Sequence, residues 1–371
     1  RQRQMCIRDS PQLMNKPVKI LVVGCGNMGS SHARAYHELT DFDIVGLVSR
    51  SEESRESLSD ALGGYPTFSS LEEALEDSEV EAVSINTYPD SHAPLVRKAL
   101  EANCHVFVEK PLATTVEAAE ELVALALEKG KALMVGYILR VHPAWMRFVQ
   151  IAQKLGKPLV MRMNLNQQSS GLQWHTHKQL MNSMSPLVDC GVHYVDIMCM
   201  MTGARPISVQ AIGARLTDEI PEGMYNYGQL QVRFDDGSIG WYEAGWGPMM
   251  SETAFFIKDV IGPEGSVSIS EVPEGESDDI EGHTKTGVLR RHYNIVDGEG
   301  RFLHPDAFIH IENEPDHDGL CRLEQEFFLT AIREGLDLAG HLKDAVNSLK
   351  IVLAADASIR LGKVVEIQIK D

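Results

Sequence analysis

The sequence predicts an α/β protein of two domains, a doubly wound parallel sheet followed by an α+β domain with an open, mostly antiparallel sheet. Three observations carry this expectation. Short, near-continuously apolar runs alternate with helical patterns from Val18 to about Val135, as strands covered on both faces by helices do. A glycine-rich turn, GCGNMG, follows the first of these runs at Gly24. After Tyr137 the pattern changes to helices and then paired β-runs, and YGQLQVRF–DDGS–IGWYEAGW reads as a hairpin around Asp-Gly.

Taken in order, the first domain offers strands at 18–23, 42–49, 82–85, 105–110 and 132–137, with helices at 28–39, 51–62, 70–77, 91–102 and 115–129 between them. The last of these helices has Thr114 or Thr115 as N-cap and Gly130 as its stop. Regular strand–helix alternation is the signature of a parallel sheet. Further on, helices are expected over 143–155 and 186–201, and FFIKDVIGPEGSVSI supplies two strands across Pro-Glu-Gly. The segment 271–317 reads as loop-rich, and amphipathic helices at 318–335 and 341–361 close the chain. The expected division is 14–138 for the first domain and 139–371 for the second. Residues 1–13, RQRQMCIRDSPQL, are expected to be a non-native leader, because RQRQMCIRDS resembles translated sequencing-adapter read-through; the natural start is then Met14.

A chain of 371 residues exceeds one usual core and suits two. Lys and Arg number 34 against 53 Asp and Glu, a formal charge of −19. Such a field repels phosphate backbones and anionic membranes, so the expected partner is a small molecule and not nucleic acid or a lipid surface. It leaves room for a nucleotide cofactor, since a helix N-terminus binds a diphosphate locally. No apolar stretch approaches the ~18 residues of a membrane span. Cys6, Cys25, Cys104, Cys190, Cys199 and Cys321 form no Cys-x-x-Cys pair; scattered thiols of this kind fit a reducing cytoplasm.

Within GCGNMG, Gly24 permits a tight turn, Gly26 lets backbone approach a pyrophosphate, and Gly29 permits close helix–strand packing. Asn27 and Met28, inside the same turn, join the expected cofactor-binding set. At the tip of the second strand, where an acidic residue would bind the adenosine ribose, the chain has Ser49 and Arg50. A hydroxyl beside a guanidinium suits a 2′-phosphate and favours NADP over NAD. The alternative is an Arg50 that stacks on adenine or faces solvent.

Two further segments bring a family into view. NTYPDSHAPLVRKALEANCHVFVEKPLATT (86–115) contains Glu109-Lys110-Pro111, and SPLVDCGVHYVDIM (185–198) contains Asp189, Gly191, His193 and Asp196. With GYILRVHPAW (136–145) and the final helices, they resemble the glucose–fructose oxidoreductase/inositol dehydrogenase/MocA (Gfo/Idh/MocA) family, from about Val18 to Ile369. The resemblance implies a Rossmann domain joined to a domain with an open antiparallel sheet. It also implies hydride transfer between NAD or NADP and a secondary hydroxyl or ketone of a sugar, glycoside or cyclic polyol. By the same resemblance Lys110, His193 and Asp189 are catalytic. Asn86, Tyr88, His92, Glu109 and Lys110 are expected at the cofactor, and the Lys110–Pro111 bond is expected cis.

The residues permit that chemistry. Hydride leaves a carbinol carbon as the hydroxyl loses its proton, so a base is needed within hydrogen-bond reach; His193 has a suitable ordinary pKa. Lys110 can stabilise the developing alkoxide. Spacings of four and seven place Asp189, His193 and Asp196 on one stripe of a single predicted helix, with Asp196 read as a buried structural residue. Arg140, Trp174, His175, Lys110, Asp189 and His193 form the expected substrate contacts, Trp174 by stacking on a sugar face; His142 and His177 lie near them in sequence. One departure stands out: NSMSPLVD, with Asn182, Ser183, Ser185 and Pro186, replaces the glycine-rich turn many relatives carry before the helix Asp, so the pocket is expected to differ. The resemblance further implies a homodimer or homotetramer joined through the outer face of the second sheet. Tyr227, Trp241, Tyr242 and Trp246 suit such an interface, or else line the core.

Three rival readings remain open at this level. His175, His177, Asp189 and His193 are adequate Zn²⁺ ligands, though they lack a tight ligand motif and His175-x-His177 reads as lying on a loop, and no metal is expected. Some relatives oxidise a glycoside, eliminate the aglycone and reduce again, with the cofactor recycled. A catalytically silent NADP(H) sensor would keep the first domain alone in use, but would not need Lys110, Asp189 and His193 together.

Overall fold

The computed structural model describes residues 16–251, 257–271 and 286–368. The expected leader, 1–13, lies outside them, as do Phe255 and Phe256 of a predicted strand. The chain forms two compact units.

The first unit begins with β1 (Val18–Val23), α1 (Asn27–Glu38), β2 (Phe42–Val48), α2 (Glu52–Ala61), β3 (Thr67–Phe68) and α3 (Leu71–Asp77). It continues with β4 (Ala82–Ile85), α4 (His92–Glu101), β5 (His105–Glu109), α5 (Val116–Lys129) and β6 (Leu133–Gly136). All pairings are parallel, in the order β3-β2-β1-β4-β5-β6. The apolar runs explain this: Ile20, Leu21 and Val22 are fully buried, as a strand with helices on both faces requires. The winding reverses between β1 and β4, which opens a crevice beyond the carboxyl ends of those strands. Every predicted element of this unit is present to within a residue or two; β3, two residues long, was too short to show a period.

The second unit contains α6 (Pro143–Ala152), β7 (Val160–Gln168), α7 (Gly171–Leu180), α8 (Pro186–Asp189), α9 (Gly191–Thr202), β8 (Pro206–Ala214), β9 (Tyr227–Phe234) and β10 (Ile239–Gly247). Beyond these come β11 (Lys258–Gly262), β12 (Gly265–Glu271), β13 (Val288–Tyr293) and β14 (Ala307–His310). The chain ends with α10 (His317–Glu334), α11 (Ala339–Leu361) and β15 (Val365–Glu366). Nine strands pair in the order β14-β13-β12-β11-β7-β10-β9-β8-β15, antiparallel except where β7 meets β10. The Asp-Gly hairpin is β9–β10. Strands β13 and β14 lie in the segment expected to be loop; VLRRHY carries too much charge to read as a strand without its partners.

Three expectations are corrected. The helix predicted over 186–201 is broken at Cys190, where α8 ends and α9 begins, and the His193 N–H bonds the Cys190 carbonyl at 3.2 Å, a three-residue link. Gly191 allows the break to sit against the sheet, since a Cβ there would lie 2.9 Å from the Tyr242 ring. His175 and His177 belong to a helix, α7, and not a loop. Lastly, the two units are not consecutive in sequence: residues 318–340 return to the first, with Phe328 of α10 against Phe107 and Arg333 on Asp41 at 2.5 Å. That departs from the linear division 14–138 and 139–371. Among the described residues no helix is long and apolar enough to cross a membrane, and the five described cysteines are free.

Candidate active site

The glycine turn lies between β1 and α1. Gly24 has φ +95°, and a Cβ on it would stand 2.5 Å from the Asn86 carbonyl oxygen. A Cβ on Gly29 would overlap the Gly24 carbonyl, so both positions demand glycine for packing. Gly26 differs: nothing lies within 4 Å of where its Cβ would be. It caps α1 without a side-chain hydrogen bond, and the helix has no acidic residue in its first turn. Backbone N–H groups therefore face open space at the positive end of a helix, which fits a dinucleotide diphosphate. Asn27 is exposed beside them and Met28 half-buried.

At the end of β2, Ser49 is half-buried and Arg50 exposed. Arg55, a residue the sequence reading passed over, donates its guanidinium to the Ser49 carbonyl at 3.1 Å; its only earlier signal was a lone Arg in a polar helix. Tyr88 is 65% exposed.

Three residues expected to touch cofactor turn inward instead. Asn86 bonds Ser84 through its side-chain nitrogen, at 3.1 Å to the hydroxyl and 3.3 Å to the carbonyl. His92, fully buried, places Nδ1 2.7 Å from the Pro111 carbonyl and Nε2 2.9 Å from the Thr87 carbonyl, and burial pushes its imidazole down. It ties the loop after β4 to the loop after β5. Glu109, also buried, has His32 Nε2 at 2.7 Å and accepts the Lys110 backbone N–H at 3.2 Å. The reason is shared: a polar group shut away from water takes an internal partner. Burial pushes the Glu109 carboxyl up, but the bond to and charge of His32, with Lys110, bring it below its ordinary value. Lys110 is half-buried at the end of β5, and its bond to Pro111 is cis, as expected.

In the second unit, Asp189 is half-buried at the end of α8 and His193 is buried in α9. Cys190 Sγ lies 3.7 Å from an Asp189 oxygen and 3.6 Å from Gln167 Oε1, and that oxygen accepts the Trp246 indole N–H at 2.8 Å. His177 stacks on Trp246 with centroids 4.4 Å apart; burial pushes it down to about 4, against the pull of the Asp189 carboxylate. The start of α8 is fixed by Ser185, which accepts the Val188 N–H and donates to Asp356 at 2.8 Å. His193 meets the edge of the Tyr137 ring, centroids 6.0 Å apart.

Other candidates have different work. Arg140 grips Asp196 with two bonds, 2.7 and 2.8 Å, and Asp344 with a third of 2.8 Å, so its half-buried guanidinium is already engaged in a structural clamp. Asp196, pushed up to about 6 by burial with Arg140 pulling it back, is the structural residue expected. His142 caps α6 through Nδ1. Trp174 is buried, with the Lys178 ammonium 5.5 Å from its ring centroid, which leaves no open face for a sugar. His175 is exposed while His177 is buried; two residues apart on a helix they face away from each other, and the zinc set is not assembled. Among the described residues His32, Cys321 and Glu324 alone group closely enough to hold an ion, but both nitrogens of His32 are engaged, by Glu109 and by Gln325.

Comparison with known proteins adds a third line. Residues 18–137 match the family model described as "Oxidoreductase family, NAD-binding Rossmann fold", and residues 147–268 match that of the GFO/IDH/MocA C-terminal domain. The scyllo-inositol 2-dehydrogenase (NAD(+)) of Bacillus subtilis (strain 168) is 27% identical over 96% of this chain and 98% of its own. The UDP-N-acetylglucosamine 3-dehydrogenase of Acidithiobacillus ferrooxidans is 28% identical over 53% of this chain and 59% of its own. In three dimensions, apo scyllo-inositol dehydrogenase from Lactobacillus casei superposes with a TM-score of 0.74 at 19% identity, over 95% of this chain and 98% of that one.

Proposed function

Because the chain belongs to the Gfo/Idh/MocA family of NAD-binding oxidoreductases, we infer that it transfers hydride between a nicotinamide dinucleotide and a secondary hydroxyl or ketone of a cyclic polyol or sugar. The observation that carries this most directly is the pairing of two features in the first unit. Gly26 opens an uncapped helix N-terminus to a diphosphate, and Lys110 stands half-buried at the carboxyl end of β5 in the same sheet. Bound there, the nicotinamide supplies the hydride acceptor or donor. The chain's own groups handle the proton. His193 serves as the base that takes the hydroxyl proton, Lys110 stabilises the alkoxide charge, and Asp189 orients the imidazole or holds a neighbouring hydroxyl. The relatives named for inositol and for a nucleotide sugar support a ring-borne secondary alcohol as substrate.

Two finer assignments belong to the same reading. Ser49, exposed Arg50 and the Arg55 guanidinium behind them, with no acid at the tip of β2, favour NADP as the preferred cofactor. The alternating outer face of the nine-stranded sheet, with Tyr227 and Trp241 half-buried on it, is assigned as a homo-oligomer surface. Tyr242 and Trp246 are fully buried and line the core.

A panel of cyclic polyols and sugars, followed at the nicotinamide absorbance with NAD and NADP in parallel, tests the reading. Lys110→Ala and His193→Ala should each lower turnover at least ~100-fold, the scale of general acid–base catalysis; near-normal turnover in both would overturn it. A higher kcat/KM with NAD than with NADP would remove the cofactor preference. Release of an aglycone with no net change in reduced cofactor would move the activity to glycoside cleavage.

A further inference from the structure

A phenylalanine would serve as well as His177 if its work were only to pack α7 on the sheet. The ring lies flat on Trp246, centroids 4.4 Å apart and planes 7° from parallel, and the residue is 4% exposed. An imidazole in that place must also satisfy two nitrogens. Nδ1 has the Ser169 hydroxyl at 3.0 Å. Nε2 has no hydrogen-bond partner among the described residues, although leaving a polar atom without one in the interior is costly.

The bond to Ser169 fixes where the ring proton sits. Ser169 is buried, and its hydroxyl has no other partner among the described residues. Were Nδ1–H the donor, the hydroxyl hydrogen would be left over. With the O–H given to Nδ1 both groups are satisfied, and the proton of the ring lies on Nε2. Burial pushes the imidazole down to about 4, so at neutral pH the ring is uncharged and Nε2–H is a single donor awaiting an acceptor.

What surrounds that donor is the substrate side of the candidate site, all within the second unit. Trp246 and Gln167 are register neighbours on β10 and β7, and the indole N–H bonds Gln167 Oε1 at 2.8 Å. The same oxygen lies 3.6 Å from Cys190 Sγ, which stands beside Asp189. The Asp189 carboxylate in turn acts on the His177 ring through space. A neutral donor and an anionic acceptor are thus held near each other. Adjacent hydroxyls on a ring match such a pair, one oxygen accepting from Nε2–H while the other O–H is given to the carboxylate. The absence of charge on His177 matters here, because an imidazolium would be drawn into an ion pair with Asp189 and leave neither group for substrate.

We propose that His177 is a substrate-binding residue that sets specificity: its Nε2–H donates to an oxygen of the ring substrate other than the one that loses its proton, next to the hydroxyl held by Asp189. The proposal rests on the reading of the Asp189–His193 region as the place where a ring alcohol reacts.

The test takes the best substrate of the polyol and sugar panel and its monodeoxy analogues, one hydroxyl removed at a time. In the parent protein one analogue other than that lacking the reacting hydroxyl should lose at least about tenfold in kcat/KM, the scale of a buried hydrogen bond left unmade. His177→Phe keeps a ring on Trp246 and has no N–H. It should lower kcat/KM for the full substrate by a similar factor and leave that one analogue nearly unaffected, so that the two converge. His177→Gln, whose amide nitrogen reaches the place of Nε2, should restore part of the difference. A role confined to packing lowers every substrate alike, so unchanged ratios in His177→Phe with native circular dichroism overturn the proposal. A second measurement needs no variant: ¹⁵N–¹H correlation spectra of the histidine-labelled protein at pH 7 should show Nε2 of His177 protonated and Nδ1 bare, and the opposite tautomer overturns the proposal even if His177→Phe does not fold. A panel in which no ring alcohol turns over would sink the functional reading and this proposal with it. Unchanged ratios among substrates that do turn over sink this proposal alone.

Discussion

A methyl group added to Gly24, Gly26 or Gly29 meets three different surroundings, and the difference separates folding from binding within one turn. On Gly29 it runs into the Gly24 carbonyl, and on Gly24 it meets Asn86 in a left-handed conformation; either substitution should destabilise the protein by roughly 1–3 kcal/mol, the scale of overpacking. Gly26 has φ −83° and open space, so Gly26→Ala should leave stability within about 0.5 kcal/mol. The same change should weaken binding of the reduced nicotinamide dinucleotide at least about tenfold, by holding the diphosphate off the backbone. Thermal unfolding and a cofactor-fluorescence titration measure the two effects; unchanged affinity in Gly26→Ala would mean the diphosphate sits elsewhere. The spacing of these glycines, and Glu109-Lys110-Pro111, were legible in the sequence. Where Glu109 and His92 point was not, because that depends on His32, Thr87 and Pro111, and a motif names residues without naming their partners.

Elements were legible where a period ran long enough, as in β1, α5 and the β9–β10 hairpin. They failed where tertiary contact overrides pattern: SPLVDCGVHYVDIM is periodic straight through Cys190, yet the helix breaks there, beside the close approach of Gly191 to Tyr242. Two histidines extend the argument to stability. His105, the first residue of β5, accepts the Ala132 N–H on Nδ1 at 3.0 Å, and His177 lies against Ser169 in α7's packing. Burial pushes each down to about 4. Both fold neutral, so the unfolded chain binds more protons below its ordinary histidine value of about 6.5. Their contribution should be complete above that pH, decline as pH falls, and level off near 4. Urea midpoints at several pH values should follow this window. The double variant His105→Gln/His177→Gln should lose part of the slope; an unaltered slope would place the acid sensitivity in other groups.

Across the whole molecule, the nine-stranded sheet aligns one row of alternating residues from strand to strand. Gln231, Trp241, Arg162, Asp259, Ser268 and Arg290 are neighbours in register, and Trp241 is its aromatic centre. If this face joins copies of the chain, sedimentation velocity should find a dimer or tetramer, and Trp241→Glu should shift it to monomer without unfolding it; a monomeric parent protein would exclude the assembly. The parallel sheet and the hairpin could be read ahead of the structure, but the return of α10 could not, for His32 and Gln325 are 293 positions apart and nothing local links them. That return also orders events during synthesis. A ribosome releases β1 through β6 long before it reaches Gln325 and Phe328, and until then Phe107 and His32 lack the helix that covers them. A chain cut short anywhere before residue 318 therefore lacks the helix that packs on Phe107 and bonds His32.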